Sequence, residues 1–168
     1  IFPFFLFIVG VSVTFSLARF AGKRDVGAEV HLKVVRRAAL LFVIGLVLEV
    51  FPFYNVWTGE WFQPETVRLM GVLQRIAICY LVTALFSLHT SWRKQAVIAG
   101  ALLLGYWILM MAVPVPGCIV TSVDDKACNL AAYIDRLILT ENHIWNQSKV
   151  FDPEGILSTW PSCFSVLI

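Results

Sequence analysis

Arg68, Gly71 and Arg75 recur at i, i+3 and i+7 at the start of an apolar run, a spacing that puts them on one helix face with Gln74 beside them. Two guanidinium groups on one face suit an anion or a developing oxyanion, and a neighbouring carboxamide adds hydrogen bonds. The missing side chain of Gly71 lets a ligand or a second helix approach between the arginines. The same face has a structural reading of equal weight: Glu49, near the end of the preceding apolar run, lies at a depth from which it pairs with Arg68 or Arg75. A second set, Asp135, Arg136, Glu141, His143, Asp152 and Glu154, falls in one later stretch. Carboxylates and an imidazole are the material of acid–base chemistry or of sugar-hydroxyl recognition, while a solvated charged loop is the plainer alternative. No carboxylate or nucleophile stands at a diagnostic spacing from His143, and His31 and His89 read as solvated. The sequence holds no metal-ligand cluster, phosphate-binding glycine loop or nucleophile elbow.

These residues sit in a chain of 168 residues that is 59% hydrophobic and 14% charged, with a mean hydropathy of +0.80. That balance excludes an ordinary soluble domain and predicts membrane lipid as the main surroundings. Apolar stretches cover residues 1–17, 38–53, 69–88 and 95–113, and a shorter one begins at 155 and runs to 168. The expected fold is all-α, a multispan transmembrane helix bundle of about four spans plus a truncated fifth, with an outward loop region over 114–154. A chain that opens and stops inside apolar runs reads as an internal piece of a longer membrane protein.

The first connection holds Arg19, Lys23, Arg24, Lys33, Arg36 and Arg37, and the third holds Arg93 and Lys94, whereas the second holds Glu60 and Glu65. This alternation predicts that connections one and three face the cytoplasm. It also explains the formal charge of +2 without nucleic acid, which is not an expected partner. Tyr54, Trp57, Trp61 and Trp92 read as interfacial anchors. Tyr133, Ile134, Leu137 and Ile138 recur with helical spacing, which suggests an interfacial helix whose Asp135 and Arg136 face water. Asp152-Pro153-Glu154-Gly155 reads as a helix start capped by Asp152, Gln63-Pro64-Glu65 as a weaker one, and Ala101 with Gly105 as a small pair for close helix approach. Cys79 and Cys163 fall in apolar runs and read as buried small hydrophobes. Cys118 and Cys128 flank a short polar stretch on the outward side, where a disulfide is favoured and adds about 2–3 kcal/mol. Asn146-Gln147-Ser148 matches the glycosylation acceptor pattern.

Five blocks in a fixed order carry a resemblance. They are Phe2-Pro3-Phe4-Phe5-Leu6-Phe7-Ile8-Val9-Gly10, Val67-Arg68-Leu69-Met70-Gly71-Val72-Leu73-Gln74-Arg75, Val113-Pro114-Val115-Pro116-Gly117-Cys118, Ala132-Tyr133-Ile134-Asp135-Arg136-Leu137, and Phe151-Asp152-Pro153-Glu154-Gly155-Ile156-Leu157. In these the chain resembles the heparan-α-glucosaminide N-acetyltransferase family of multispan membrane proteins and its bacterial relatives. The resemblance implies that acetyl-CoA donates an acetyl group from the cytoplasmic side to the amine of a glucosamine-type sugar on the far side. It places the protein in a bacterial inner membrane or a lysosomal membrane. The family's catalytic histidine precedes the Phe2 block, so no catalytic residue is expected within the chain, which on its own is expected to be inactive. On this reading Arg68, Gly71, Gln74 and Arg75 serve the donor's anionic groups or the oxyanion, and Asp135, Arg136, Asp152 and Glu154 shape the sugar side. Two matters stay open: an amino-sugar-related transporter fits the same polar face, and a homo-oligomer is compatible with such a bundle.

Overall fold

The computed structural model describes residues 2–17, 20, 27–51, 54–55, 60–61, 68–118, 125–126, 128–139, 143–144 and 150–166. Six helices follow one another: α1 (Phe2–Leu17), α2 (Ala28–Val50), α3 (Val72–His89), α4 (Trp92–Ala112), α5 (Leu130–Leu139) and α6 (Ile156–Ser165). Apart from them, β1 (Tyr54–Asn55) and β2 (Glu60–Trp61) form a two-stranded antiparallel ribbon, with Tyr54 opposite Trp61 and Asn55 opposite Glu60. Among the described residues the fold is therefore all-α but for that ribbon. Of the described helices, α3 and α4 are long and apolar enough to cross a membrane.

One boundary departs from the apolar pattern. Nothing between Gly27 and Pro52 breaks a helix, so α2 starts at Ala28, well before the apolar stretch at residue 38. Lys33, Arg36 and Arg37 therefore belong to a helix and not to a connection. Long basic side chains are good helix formers whose stems lie along apolar surface, and a hydropathy window cannot see that.

α3 is the hub, packing against α2, α1 and α6, while α4 leans mainly on α6. Its buried face explains why, since Ala77, Cys79, Thr83 and Ala84 keep the contact surface narrow enough for neighbours on several sides. Val13 and Leu17 of α1, Val34 of α2, and Ala84 and Leu88 of α3 form one core cluster. Leu6, Cys79, Cys163 and Val166 form another between α1, α3 and α6. Two glycines set the spacing: a Cβ on Gly10 would overlap the Val166 carbonyl, and one on Gly45 would lie 2.8 Å from Gln74 Oε1 and 2.9 Å from Leu73 Cβ. Gly105 has nothing within 4 Å, and Ala101 is also exposed, so the small pair of α4 serves no helix approach among the described residues.

Cys118 and Cys128 are joined by a disulfide, with Cα atoms 5.8 Å apart. Cys79 and Cys163 are buried free thiols, Sγ to Sγ 3.3 Å. Trp92 is 73% exposed at the start of α4, with the Arg93 guanidinium 5.4 Å from its ring centre. Trp57, Glu141, Gln63-Pro64-Glu65 and Asn146-Gln147-Ser148 lie outside the described residues.

Candidate functional site

α3 starts without a side-chain cap, its N-cap Gly71 being extended, and this leaves Arg68 on the approach to the helix and Arg75 in its first turns. Both reach the segment that leads into α6. Arg68 Nε donates to Asp152 Oδ2 at 3.0 Å, and its Nη2 engages both Asp152 Oδ1 and Glu154. The Asp152 side chain has no solvent exposure, and that of Arg68 keeps 14%. Burial alone would pull the Arg68 guanidinium down; the ion pairs with Asp152 and Glu154 outweigh it and hold the group above its ordinary value. The counter-charge foreseen in Glu49 is thus supplied elsewhere, and Glu49 itself is exposed near the end of α2. Helical spacing relates Glu49 to its own helix, whereas the carboxylates that meet Arg68 come from a turn folded onto the start of α3.

Arg75 holds the other side of that turn. Its Nη1 donates to the Pro153 carbonyl at 2.9 Å, and its Nη2 donates to the Ser158 carbonyl at 2.7 Å and to the Ser162 hydroxyl. The turn closes through Gly155 N–H to the Asp152 carbonyl at 3.0 Å, and Asp152 Oδ1 accepts the Glu154 N–H at 3.0 Å. Asp152 is therefore a turn former and an ion-pair partner, not the cap of α6, which starts at Ile156 with Gly155 as N-cap and no cap from its own side chain.

The cap comes from α5. Asp135 Oδ1 accepts the Ile156 N–H at 2.9 Å, satisfying an orphan donor of the first turn. Gly155 makes the approach feasible, because a Cβ there would overlap the Asp135 carboxylate. Asp135 is 1% exposed, not facing water as the amphipathic pattern of α5 suggested; the pattern registers which side is apolar and is blind to a helix end arriving from the chain ahead. Burial, with the Asp152 charge adding to it against the Ile156 hydrogen bond, pushes the Asp135 carboxyl up to about 6. Arg136 Nη1 donates to the Val150 carbonyl at 2.8 Å.

Arg68, Arg75, Asp135, Arg136, Asp152 and Glu154 thus converge on the segment Val150–Ser162 as one hydrogen-bonded network. Gln74 stands apart from it, 1% exposed, wedged where α2 crosses α3. Its Oε1 lies 2.7 Å from where a Gly71 Cβ would be, so the space opened by Gly71 is filled by Gln74. Gln74 Nε2 has no hydrogen-bond partner among the described residues. Of the two serines that meet Arg75, Ser162 accepts through its hydroxyl, whereas Ser158 accepts through its backbone carbonyl, a contact that carries no signal in residue type. His31 and His89 are not separately solvated: their Nε2 atoms lie 2.9 Å apart. With ring centres 5.1 Å apart, the rings meet end to end through a shared hydrogen bond. No group of three or more metal-ligating side chains occurs among the described residues.

A family model described as heparan-alpha-glucosaminide N-acetyltransferase, catalytic, matches residues 1–134. The heparan-alpha-glucosaminide N-acetyltransferase of Mus musculus is 29% identical over 202 residues, taking in 95% of this chain and 30% of the relative. That of Homo sapiens is 28% identical, with the same coverage. The chain spans 30% of the length of these curated relatives. With the match running from α1 into α5, the chain belongs to the heparan-alpha-glucosaminide N-acetyltransferase catalytic family.

Proposed function

We propose that this chain is part of a membrane acetyltransferase that moves an acetyl group from acetyl-CoA to the amine of a glucosamine-type sugar across the bilayer. The observation that carries the reading is the family match over residues 1–134. In this reading α1 to α4 all cross the membrane and α6 begins a fifth span. The large apolar side chains exposed on α1 and α2, among them Phe4, Phe7, Phe15, Val43 and Leu48, support lipid contact there as well. The connections rich in lysine and arginine face the cytoplasm, and the Arg68 network lies at the opposite face, in a bacterial inner membrane or a lysosomal membrane.

An acceptor sugar needs a mouth that holds its shape and a few polar groups at the edge. The network supplies both. Asp135, Asp152 and Arg75 are buried and position the turn, while Arg68 and Glu154 keep exposures of 14% and 15% and form the rim that meets sugar hydroxyls. Nucleophilic attack requires the acceptor as a free amine, so a base must take one proton from its ammonium form. The family resemblance assigns that role to a histidine. His31 and His89 bond to each other at the other end of α3, about 27 Å away along that helix.

The described residues do not form a complete place for acetyl-CoA. Arg68 and Arg75 already donate to protein oxygens, and the larger space beside Arg37, between α1 and α2, is lined mostly by carbon, which leaves the amides of a pantetheine arm short of partners there.

The test is full-length protein in vesicles, with acetyl-CoA on the face of the basic connections, glucosamine on the other, and mass spectrometry for N-acetylglucosamine. Acetylated sugar that requires this sidedness supports the transferase, whereas sugar crossing unmodified establishes the transporter instead. Arg75→Ala is expected to abolish transfer, and unchanged turnover in correctly inserted protein removes Arg75 from the site.

A further inference from the structure

α1 and α2 both rest on α3, and the space between them forms two adjoining cavities of about 460 Å³ and about 260 Å³. Arg37 and Tyr80 line both and mark where they meet. Along the slot the chemistry changes in one direction. Its larger limb is walled by Ile8 of α1, Leu40 and Ile44 of α2 and Ile76 of α3, with Ser12 the uncharged polar exception. The smaller limb, toward the end of α1 and the start of α2, is walled by Ser16, Phe20, Lys33 and Val34 besides Arg37 and Tyr80.

Lys33 and Arg37 are one turn apart on α2 and flank the slot from the same side. Among the described residues no carboxylate lines either limb, and the ion pairs of the chain are those of Arg68. Glu29 is exposed in the first turn of α2 and lines neither limb. An occupant must therefore bring a negative group to the Lys33 and Arg37 end and an uninterrupted apolar tail to the other. A tail carrying amides would bury most of them beside Ile8, Ile44 and Ile76, since the polar groups among the described lining residues are Ser12 and, where the two limbs meet, Tyr80 and Arg37.

We propose that this slot binds one anionic phospholipid, its phosphate on Lys33 and Arg37 and one acyl chain along the apolar limb. The proposal rests on reading α1 to α3 as membrane spans with the basic connections at one surface, where anionic headgroups meet lysine and arginine. The lipid would hold α1 and α2 at a fixed separation on α3.

Native mass spectrometry of the intact protein, released from detergent after exchange with phosphatidylglycerol or phosphatidylcholine, tests it. Retention of phosphatidylglycerol is expected to exceed that of phosphatidylcholine by about 30-fold, as two basic contacts of about 1 kcal/mol each imply. Lys33→Gln with Arg37→Gln should erase the preference, and Ser12→Phe, which fills the apolar limb and leaves the cations alone, should remove the bound lipid. Arg36→Gln deletes the same charge from the same turn but lines neither limb, so it should change nothing. Equal retention of both lipids, or an Arg36→Gln effect as large as that of the double variant, overturns the slot in favour of diffuse surface attraction. Displacement of the lipid by acetyl-CoA overturns it in favour of the acetyl donor. None of these readouts depends on acetyl transfer, so a failed transferase assay and a failed lipid assay are told apart.

Discussion

Replacing Arg68 by methionine keeps much of the side chain's length and removes the cation set against both Asp152 and Glu154. The Asp152 side chain has no exposure, so its charge would be left in the protein without compensation. Breaking a buried pair from one side costs about 3–5 kcal/mol. Because the side chains of Arg68 and Glu154 keep 14% and 15% exposure and water reaches that edge, the lower end applies, about 3 kcal/mol. That corresponds to roughly a 150-fold shift toward opening of the Asp152–Gly155 turn. Arg68→Lys keeps the charge but not the fork that grips two carboxylates, and is expected to lose about half as much. The assay is thermal unfolding of the intact protein in detergent, with limited proteolysis at the turn as a local readout. Coupling to Asp152→Asn should appear as a double variant less damaged than the sum of the singles, by about 1–3 kcal/mol. The reasoning fails if Arg68→Met melts within about 0.5 kcal/mol of the parent, or if Arg68→Lys is no better than Arg68→Met.

Three further outcomes follow from the same geometry. The Asp135 carboxyl is raised from its ordinary 3.8 to about 6, so its contribution to stability is fully present below about pH 3.8 and is lost as pH rises through about 6. Relative to Asp135→Asn, which still accepts the Ile156 N–H but does not titrate, the parent should lose about 2–3 kcal/mol over that window; parallel melting profiles for the two proteins would exclude this. Gly155→Ala drives a Cβ into the Asp135 carboxylate and should destabilise α6 docking by about 1–3 kcal/mol, seen as faster hydrogen exchange at Ile156. Gly45→Ala meets Gln74 Oε1 at 2.8 Å and Leu73 Cβ at 2.9 Å; it should cost a similar amount, about 1–3 kcal/mol, while leaving exchange at Ile156 unchanged.

The all-α class, the helix over Leu130–Leu139 and the Cys118–Cys128 pairing were legible because each depends on composition or on residues close in sequence. The partners of Arg68 were not. Asp152 and Glu154 lie 84 and 86 residues away, and a helical pattern carries no information about which distant turn folds against its first residues. Glu49 seemed the natural partner only because it belongs to the neighbouring helix. The capping of α6 escaped for a related reason: Asp152-Pro153-Glu154-Gly155 contains every residue type of a helix start, yet the acceptor comes from Asp135, admitted by the glycine that leaves its own helix uncapped. The candidate residues follow from a simple physical rule, that charge beside apolar sequence must be matched by something. The rule identifies the groups and leaves their pairing to tertiary structure.

The two ends of α1, α2 and α3 therefore differ in what they can do with an incoming anion. At the Arg68 end the guanidinium donors of two arginines already reach carboxylates, carbonyls and a hydroxyl. A ligand phosphate there would have to displace Asp152, exposing a buried carboxylate to repulsion as well as losing its hydrogen bonds. At the Lys33 end an anion is met by Lys33 and Arg37, which form no ion pair among the described residues. The network at Arg68 is consequently suited to positioning, holding α6 on α3. Recognition of negative charge falls to the opposite end, where attraction is opposed only by the desolvation of exposed cations.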